Sequence, residues 1–503
     1  MNFHSLTFVV FALIFYTIYF LLGKKARPYF ILLASYIFYG WWDFRYLGLI
    51  LISTAVDYFV AMHLPKVSET RQKKLLLSIS IVANLSLLFI FKYFNFFSAS
   101  FRDMLVGLGL QPHEVTLKVL LPVGISFYTF QTMGYTIDVY RNKVAPERNP
   151  VLFAVYVAFF PQLVAGPIER ASRLLPQLRC LDKPSRKQIQ AGIWMLAWGY
   201  FLKMFVADNM ARIVDVTFTY GRERASTLLT KAPPDPFVLT NVRWDGLFQV
   251  MQVHLTSMEI ILVLMAFALQ IYGDFAGYSN IARGLAKLLG IDLMLNFRQP
   301  YFSKSPAEFW QRWHISLSTW LRDYLYIPLG GNRAGLLLTC RNLMATMLLG
   351  GLWHGASWVF VIWGAYHGML LVGQRLLDHW AQGRGRIKLV LTRCAVVLTP
   401  LLTLYGWLIF RSNNYSQLKY MTVHLFTDFR IPQPIDMKKF WVYCFWVVLC
   451  GSIVWIADFL QERRKEDPLF RFDRIFDYCL AGGLIFLALV FGGPSEPFIY
   501  FQF

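Results

Sequence analysis

Residues Asn342–Gln374 read NLMATMLLGGLWHGASWVFVIWGAYHGMLLVGQ, a run without a single Lys, Arg, Asp or Glu. About 20 apolar residues cross the ~30 Å of bilayer hydrocarbon, so its apolar part, Leu343–Gly373, is too long for one simple crossing. Basic loops flank it on both sides. It therefore reads as a hairpin or re-entrant pair, which a bilayer tolerates only where the turn is buried in protein or lines a watery cavity. Gly350, Gly351, Gly355, Gly364 and Gly368 suit close backbone packing inside such a pair.

The rest of the chain has the same character. Of 503 residues, 56% are hydrophobic, 17% aromatic and only 16% charged, against roughly 25% charged in soluble domains. That composition excludes a disordered chain, a coiled coil and a typical cytosolic enzyme. The net charge of +20 comes from 49 Lys+Arg against 29 Asp+Glu. A nucleic-acid binder is basic but not this apolar, so no nucleic-acid partner is expected. Cys180, Cys340, Cys394, Cys444, Cys450 and Cys479 show neither disulfide nor zinc spacing and read as small core residues.

Further candidate spans are Phe3–Leu22, Tyr29–Trp42, Tyr46–Leu64, Leu75–Phe97, Leu117–Tyr140, Val151–Ile168, Ile189–Val214, Phe248–Tyr272, Leu389–Phe410, Phe440–Leu460 and Cys479–Gly492. The first lacks a basic lead and a small-residue cleavage site, so it reads as a retained helix. The chain is expected to be one all-α polytopic domain, residues 1–503, of about 11–13 transmembrane or re-entrant helices. Val151–Ile168, like Leu343–Gly373, has basic loops on both flanks and reads as a hairpin. Cations cluster at Lys24–Arg27, Lys66–Lys74, Arg141–Arg148, Arg170–Lys187, Arg375–Arg393 and Arg463–Arg474. The positive-inside rule puts those loops in the cytoplasm and both termini on the far side. Residues 215–246 and 412–438, also on the far side, are the longest irregular stretches and natural places for partner contact.

Three residues stand out chemically. His354 is a titratable imidazole inside the uncharged run, which makes it a functional candidate. The plainer alternative is a neutral ring bonded to a backbone carbonyl. His314 follows a helix start, with Ser305 as cap, Pro306 in the first turn and Glu308 completing a capping box. Helical spacing groups Trp310, His314, Leu317, Leu321 and Leu325 on one face and Arg312, Ser316, Thr319 and Asp323 on another. That describes a cytoplasmic amphipathic helix with His314 turned inward. Asp274 is a buried acid candidate, or alternatively a helix-end cap. His367 reads as structural. A histidine can take a proton from a hydroxyl as it attacks a thioester. No serine elbow, zinc signature or phosphate loop is present.

Together these residues resemble the membrane-bound O-acyltransferase family, and most of all its bacterial branch that serves alginate O-acetylation. The matching text is Gln270–Ser279, Asn296–Tyr301, Glu308–Tyr324 and Gly350–Gly355, with Phe160–Pro167 as a further element. The resemblance implies a central tunnel lined by two histidines, which map onto His354 as the likelier base and His314 as an orienting group. It implies substrate contacts at Trp310, Arg312, Asp323, Trp353, Asp274 and Asn296. It also implies acetyl-coenzyme A as the donor from the cytoplasm, with no bound cofactor or metal, in a bacterial inner membrane with periplasmic termini. A periplasmic transferase of the serine–histidine (SGNH) hydrolase type would finish transfer to an exported polysaccharide. The tail Phe498-Ile499-Tyr500-Phe501-Gln502-Phe503 is similar to the Phe-x-Tyr-Phe end of the peptide serving the teichoic-acid D-alanylation relative. Carried over, Tyr500 would be an acyl carrier; otherwise it is an interfacial aromatic anchor.

Two other readings remain open on sequence. A non-catalytic transporter or polymer-export channel explains many spans and buried polar groups equally well. Acylation of a lipid or protein hydroxyl keeps the chemistry and changes the acceptor.

Overall fold

The computed structural model describes residues 1–113, 115–118, 121–164, 166–215, 217–218, 255–333, 335–431, 434–464, 475–494 and 498–499. Among the described residues every regular element is helical. Seven described helices are long and apolar enough to cross a bilayer: Phe44–Lys66, Thr70–Gly107, Arg186–Asp215, Ser257–Lys287, Leu336–His354, Gly385–Arg411 and Phe440–Arg464. Shorter apolar helices at Leu6–Leu21, Pro150–Leu163 and Ile475–Val490 join them. Leu337, Val397, Trp441 and Leu489 stand 84%, 65%, 64% and 70% exposed. Such surface is unfavourable in water by about 25 cal/mol per Å² and suits hydrocarbon. The protein is an all-α, multi-pass membrane protein.

Ser257–Lys287 forms the centre of the bundle and is buried along most of its length. Thr256 and Glu259 form a capping box at its start. Glycines let its backbone meet Arg186–Tyr200 directly: a Cβ on Gly277 would lie 2.9 Å from the Gly199 carbonyl oxygen, and one on Gly199 2.8 Å from that of Gly277. Small residues at a helix crossing are the membrane solution to close packing.

The uncharged run folds as the expected pair, Leu336–His354 and Trp358–Trp380, turning at Gly355–Ser357. A Cβ on Gly351 would lie 2.2 Å from the Phe360 carbonyl oxygen, so these helices touch backbone to backbone. Val151–Ile168 is likewise broken, into Pro150–Ala158 and Phe160–Leu163. Three of the basic segments, around Arg27, Arg148 and Arg179, lie close together. Arg27 donates to the Leu181 carbonyl (2.7 Å), Tyr58 to that of Arg148 (2.7 Å), and Arg179 pairs with Glu147 (2.9 Å).

One expected irregular stretch is ordered. Within 412–438 lies the helix Tyr415–Thr427, capped by Asn414, whose side chain accepts from the Gln417 amide at 2.9 Å. The Asn-x-x-Gln spacing carries that start signal. Residues 219–246 of the other stretch lie outside the described residues.

Candidate active site

His314 owes its position to a break. Ser305 caps Pro306–Arg312 as expected, accepting from the Glu308 amide at 3.2 Å, but Glu308 closes no capping box: its carboxylate accepts from the Lys304 amide at 2.8 Å. Trp313 then turns extended, and His314 adopts φ 43°, ψ 54° before helix resumes at Ile315–Leu321 and passes into a π turn, Arg322–Tyr326. The single amphipathic helix expected here is therefore three pieces, and the 3.6-residue face assignment does not carry across Trp313–His314. A non-glycine residue in the left-handed region is strained and persists only where its surroundings over-determine it.

Asn296 supplies that constraint. Its carbonyl accepts from the Ile315 amide (2.9 Å), and Arg298 donates its amide to the Arg312 carbonyl (2.9 Å). Its side chain accepts from Ser316 Oγ (2.7 Å) and donates to Ser279 Oγ (3.0 Å). Ser316 Oγ in turn accepts from the Ile168 amide at 3.0 Å. Segments at Ile168, Ser279, Asn296 and Ser316 thus meet two residues after His314. Asn296→Ala should destabilise the protein by about 1–3 kcal/mol, because it orphans buried hydroxyls; thermal unfolding in detergent checks this.

His354 ends Leu336–His354 and is 3% exposed. Gly355 is required after it, since a Cβ there would lie 2.2 Å from the Phe360 ring. The imidazole sits among Trp363 (5.0 Å), Trp353 (5.1 Å) and Phe410 (5.5 Å), centroid to centroid. The His314 imidazole is 6.5 Å away. His314 is fully buried, 4.6 Å from Phe275 and 5.8 Å from Trp353. It lies outside the long spanning helices, and burial pushes it down to about 3. The ring is thus neutral near pH 7, with one donor and one acceptor nitrogen.

Lys92 adds a cation to this region. The π turn Phe89–Tyr93 carries it, and its ammonium donates to the carbonyls of Trp353 (2.7 Å) and His354 (3.1 Å). It thereby satisfies carbonyls that end a helix. A cavity of about 50 Å³ is lined by Lys92, Ser126, Phe127, Trp353 and His354, among others. A larger cavity of about 310 Å³, between Trp194, Tyr272, Asn296, Ile453 and Leu480, touches neither histidine.

The structure brings His314, His354 and Trp353 together, with Trp310 one ring away through Trp363 (5.6 Å). Other expected site residues have partners elsewhere. Arg312 pairs with Glu308 (2.8 Å) and with both Glu462 oxygens (2.9 Å). Asp323 pairs with Arg170 (3.2 Å). Asp274 lies in the middle of Ser257–Lys287 and so caps no helix end; it pairs with Lys203 at 2.8 Å. The helix-end alternative for it is overturned. His367 packs between Trp363 (4.7 Å) and Trp310 (5.2 Å). Tyr500 lies outside the described residues, while Phe498 and Ile499 just before it are buried. Sequence reading passed over Lys92 and Lys203, although a lone cation within an apolar run is itself a functional signal.

Similarity to known proteins gives the family. Residues 42–414 match the model of the MBOAT, membrane-bound O-acyltransferase, family. The chain is 40% identical to the probable alginate O-acetylase AlgI of Pseudomonas aeruginosa over 402 residues, 80% of this chain and 70% of that protein. It is 35% identical to the peptidoglycan O-acetyltransferase of Helicobacter pylori, covering 72% and 68% of the two chains. It is 26% identical to the teichoic acid D-alanyltransferase of Streptococcus thermophilus, covering 54% and 60%. A chain that places two buried imidazoles against one uncharged helix pair, and matches this family model over residues 42–414, belongs to the membrane-bound O-acyltransferase family and is an O-acyltransferase.

Proposed function

We propose that this protein takes acetyl from acetyl-coenzyme A at the cytoplasmic face of a bacterial inner membrane and passes it across for O-acetylation of an exported polysaccharide. The observation that carries this reading is the His354 site: a buried imidazole 6.5 Å from a second one, at the edge of a small cavity. The alginate and peptidoglycan acetyltransferases among its relatives support a polysaccharide as the final acceptor.

In this mechanism His354 is the general base. It takes the proton of an attacking hydroxyl as the oxygen bonds to the thioester carbonyl carbon. The tetrahedral adduct collapses, and the thiolate of coenzyme A leaves with that proton. His314 orients the reacting group, and Trp353 and Trp310 wall off water. Asn296 holds His314 in its strained conformation. Arg312, Asp323 and Asp274 support the site through their own ion pairs. The hydroxyl is that of Tyr500, which then yields acetyl to a periplasmic partner of the SGNH hydrolase type; both termini lie on that side. A phenol needs the base because its unperturbed pKa is about 10.

Incubating the purified protein with acetyl-labelled coenzyme A should release free thiol and leave label on the protein. If neither occurs, acetyl-coenzyme A is not the donor.

A further inference from the structure

Three charged side chains meet inside the apolar bundle. Lys203 Nζ lies 2.8 Å from Asp208 Oδ1 and 2.8 Å from Asp274 Oδ1. All three are at most 2% exposed. Lys203 belongs to a π turn, Phe201–Ala207, and such turns within helices often mark functional sites. A buried ion cluster adds little stability that well-packed apolar residues would not match, so a different role is expected of it.

The second carboxylate oxygen of Asp274 shows that role. Asp274 Oδ2 accepts the backbone amide of Ile499 at 2.6 Å. The chain leading there is gripped along its backbone by the same region. Asn209 Nδ2 donates to the Phe491 carbonyl (2.8 Å), and the Gly493 amide donates to the Met204 carbonyl (3.0 Å). Gly493 passes so close that a Cβ on it would lie 2.4 Å from the Asp208 carbonyl carbon. At the end of this path the Phe498 ring packs 4.5 Å from Tyr278 and 5.6 Å from Phe275. Phe275 is the ring that meets His314 edge-on at 4.6 Å.

We propose that Lys203, Asp208 and Asp274 form an ionic seat that fixes the 498–499 segment in the core, one ring from His314, and that Asp274 is thereby a positioning residue for acyl transfer. The seat rests on contacts alone; its effect on transfer rests on the carrier role proposed above for Tyr500. Lys203 balances Asp274, which leaves the second carboxylate oxygen aimed at the Ile499 amide, a charge-assisted bond of the stronger kind.

Hydrogen exchange by mass spectrometry on the full-length protein tests the seat. Asp274→Ala leaves the Lys203–Asp208 pair intact, so the bundle should fold. The Ile499 amide should then exchange roughly 10- to 100-fold faster, as loss of a hydrogen bond to a charged group predicts. Exchange within 257–287 should stay as in wild type. Acetyl transfer should fall at least tenfold, and Asp274→Asn, which keeps an oxygen acceptor, should recover part of both. Unchanged exchange at Ile499, or equal acceleration throughout the bundle, overturns the seat. A freed amide with full transfer, in a protein that Tyr500→Phe inactivates, overturns the positioning role. If Tyr500→Phe is fully active, the carrier reading fails, and a freed amide still supports the seat.

Discussion

Replacing His354 by alanine should lower polymer O-acetylation by about 10²–10⁴-fold, the usual contribution of a general base. The expectation is that chemistry is lost and the fold is kept. Lys92 contacts the backbone carbonyls of Trp353 and His354, which alanine retains. The close passage of Gly355 against Phe360 is untouched as well. Removing the ring opens a void among Trp353, Trp363 and Phe410, which costs on the order of 2–5 kcal/mol if the site does not collapse. Two measurements therefore belong together: acetyl content of the exported polymer, and the amount and unfolding temperature of the inserted protein. Normal acetylation by a well-inserted variant would sink the assignment of His354 as base.

Tyr500→Phe should cost as much as the loss of His354. The substitution keeps an aromatic ring, so any anchoring role survives, while the nucleophilic oxygen disappears. The buried residues Phe498 and Ile499 bring the chain into the core, with Phe498 one ring from His314. If Tyr500 and His354 act in one step, the double variant is no worse than either single one, because residues working as a unit are strongly non-additive. Label carried on the protein after exposure to acetyl-labelled coenzyme A should vanish in both. Unchanged acetylation by Tyr500→Phe would leave only the anchor.

Much of the molecule was legible before any coordinates. The run without charge around His354 reads as a helix pair, because its length and its basic flanks are local features; the structure places the turn at Gly355–Ser357. The Ser305–Glu308 start was equally plain. The same local rules failed at the next step. Period counting carried one helix through Trp310–Leu325, but hydrogen bonds from Asn296 and Arg298 pull Trp313 and His314 out of helical geometry. A helix-end cap was one of two readings of Asp274; its partner, Lys203, lies far away in the chain. The helix Tyr415–Thr427 has a local start signal in Asn414 and Gln417, set among polar residues that otherwise suit a loop.

What the amino-acid sequence determined by itself is which segments leave water. Transfer free energy adds residue by residue along a helix, so apolar runs and basic flanks specify membrane helices without knowledge of neighbours. What only the tertiary structure decided is which polar groups face one another within that apolar volume. His314 meets His354 through a left-handed residue held from Asn296, and the 498–499 segment meets Asp274 through a carboxylate charge balanced by Lys203. Both arrangements depend on hydrogen bonds and charges between segments far apart in the chain, and in a low-dielectric interior such pairings outweigh local preference.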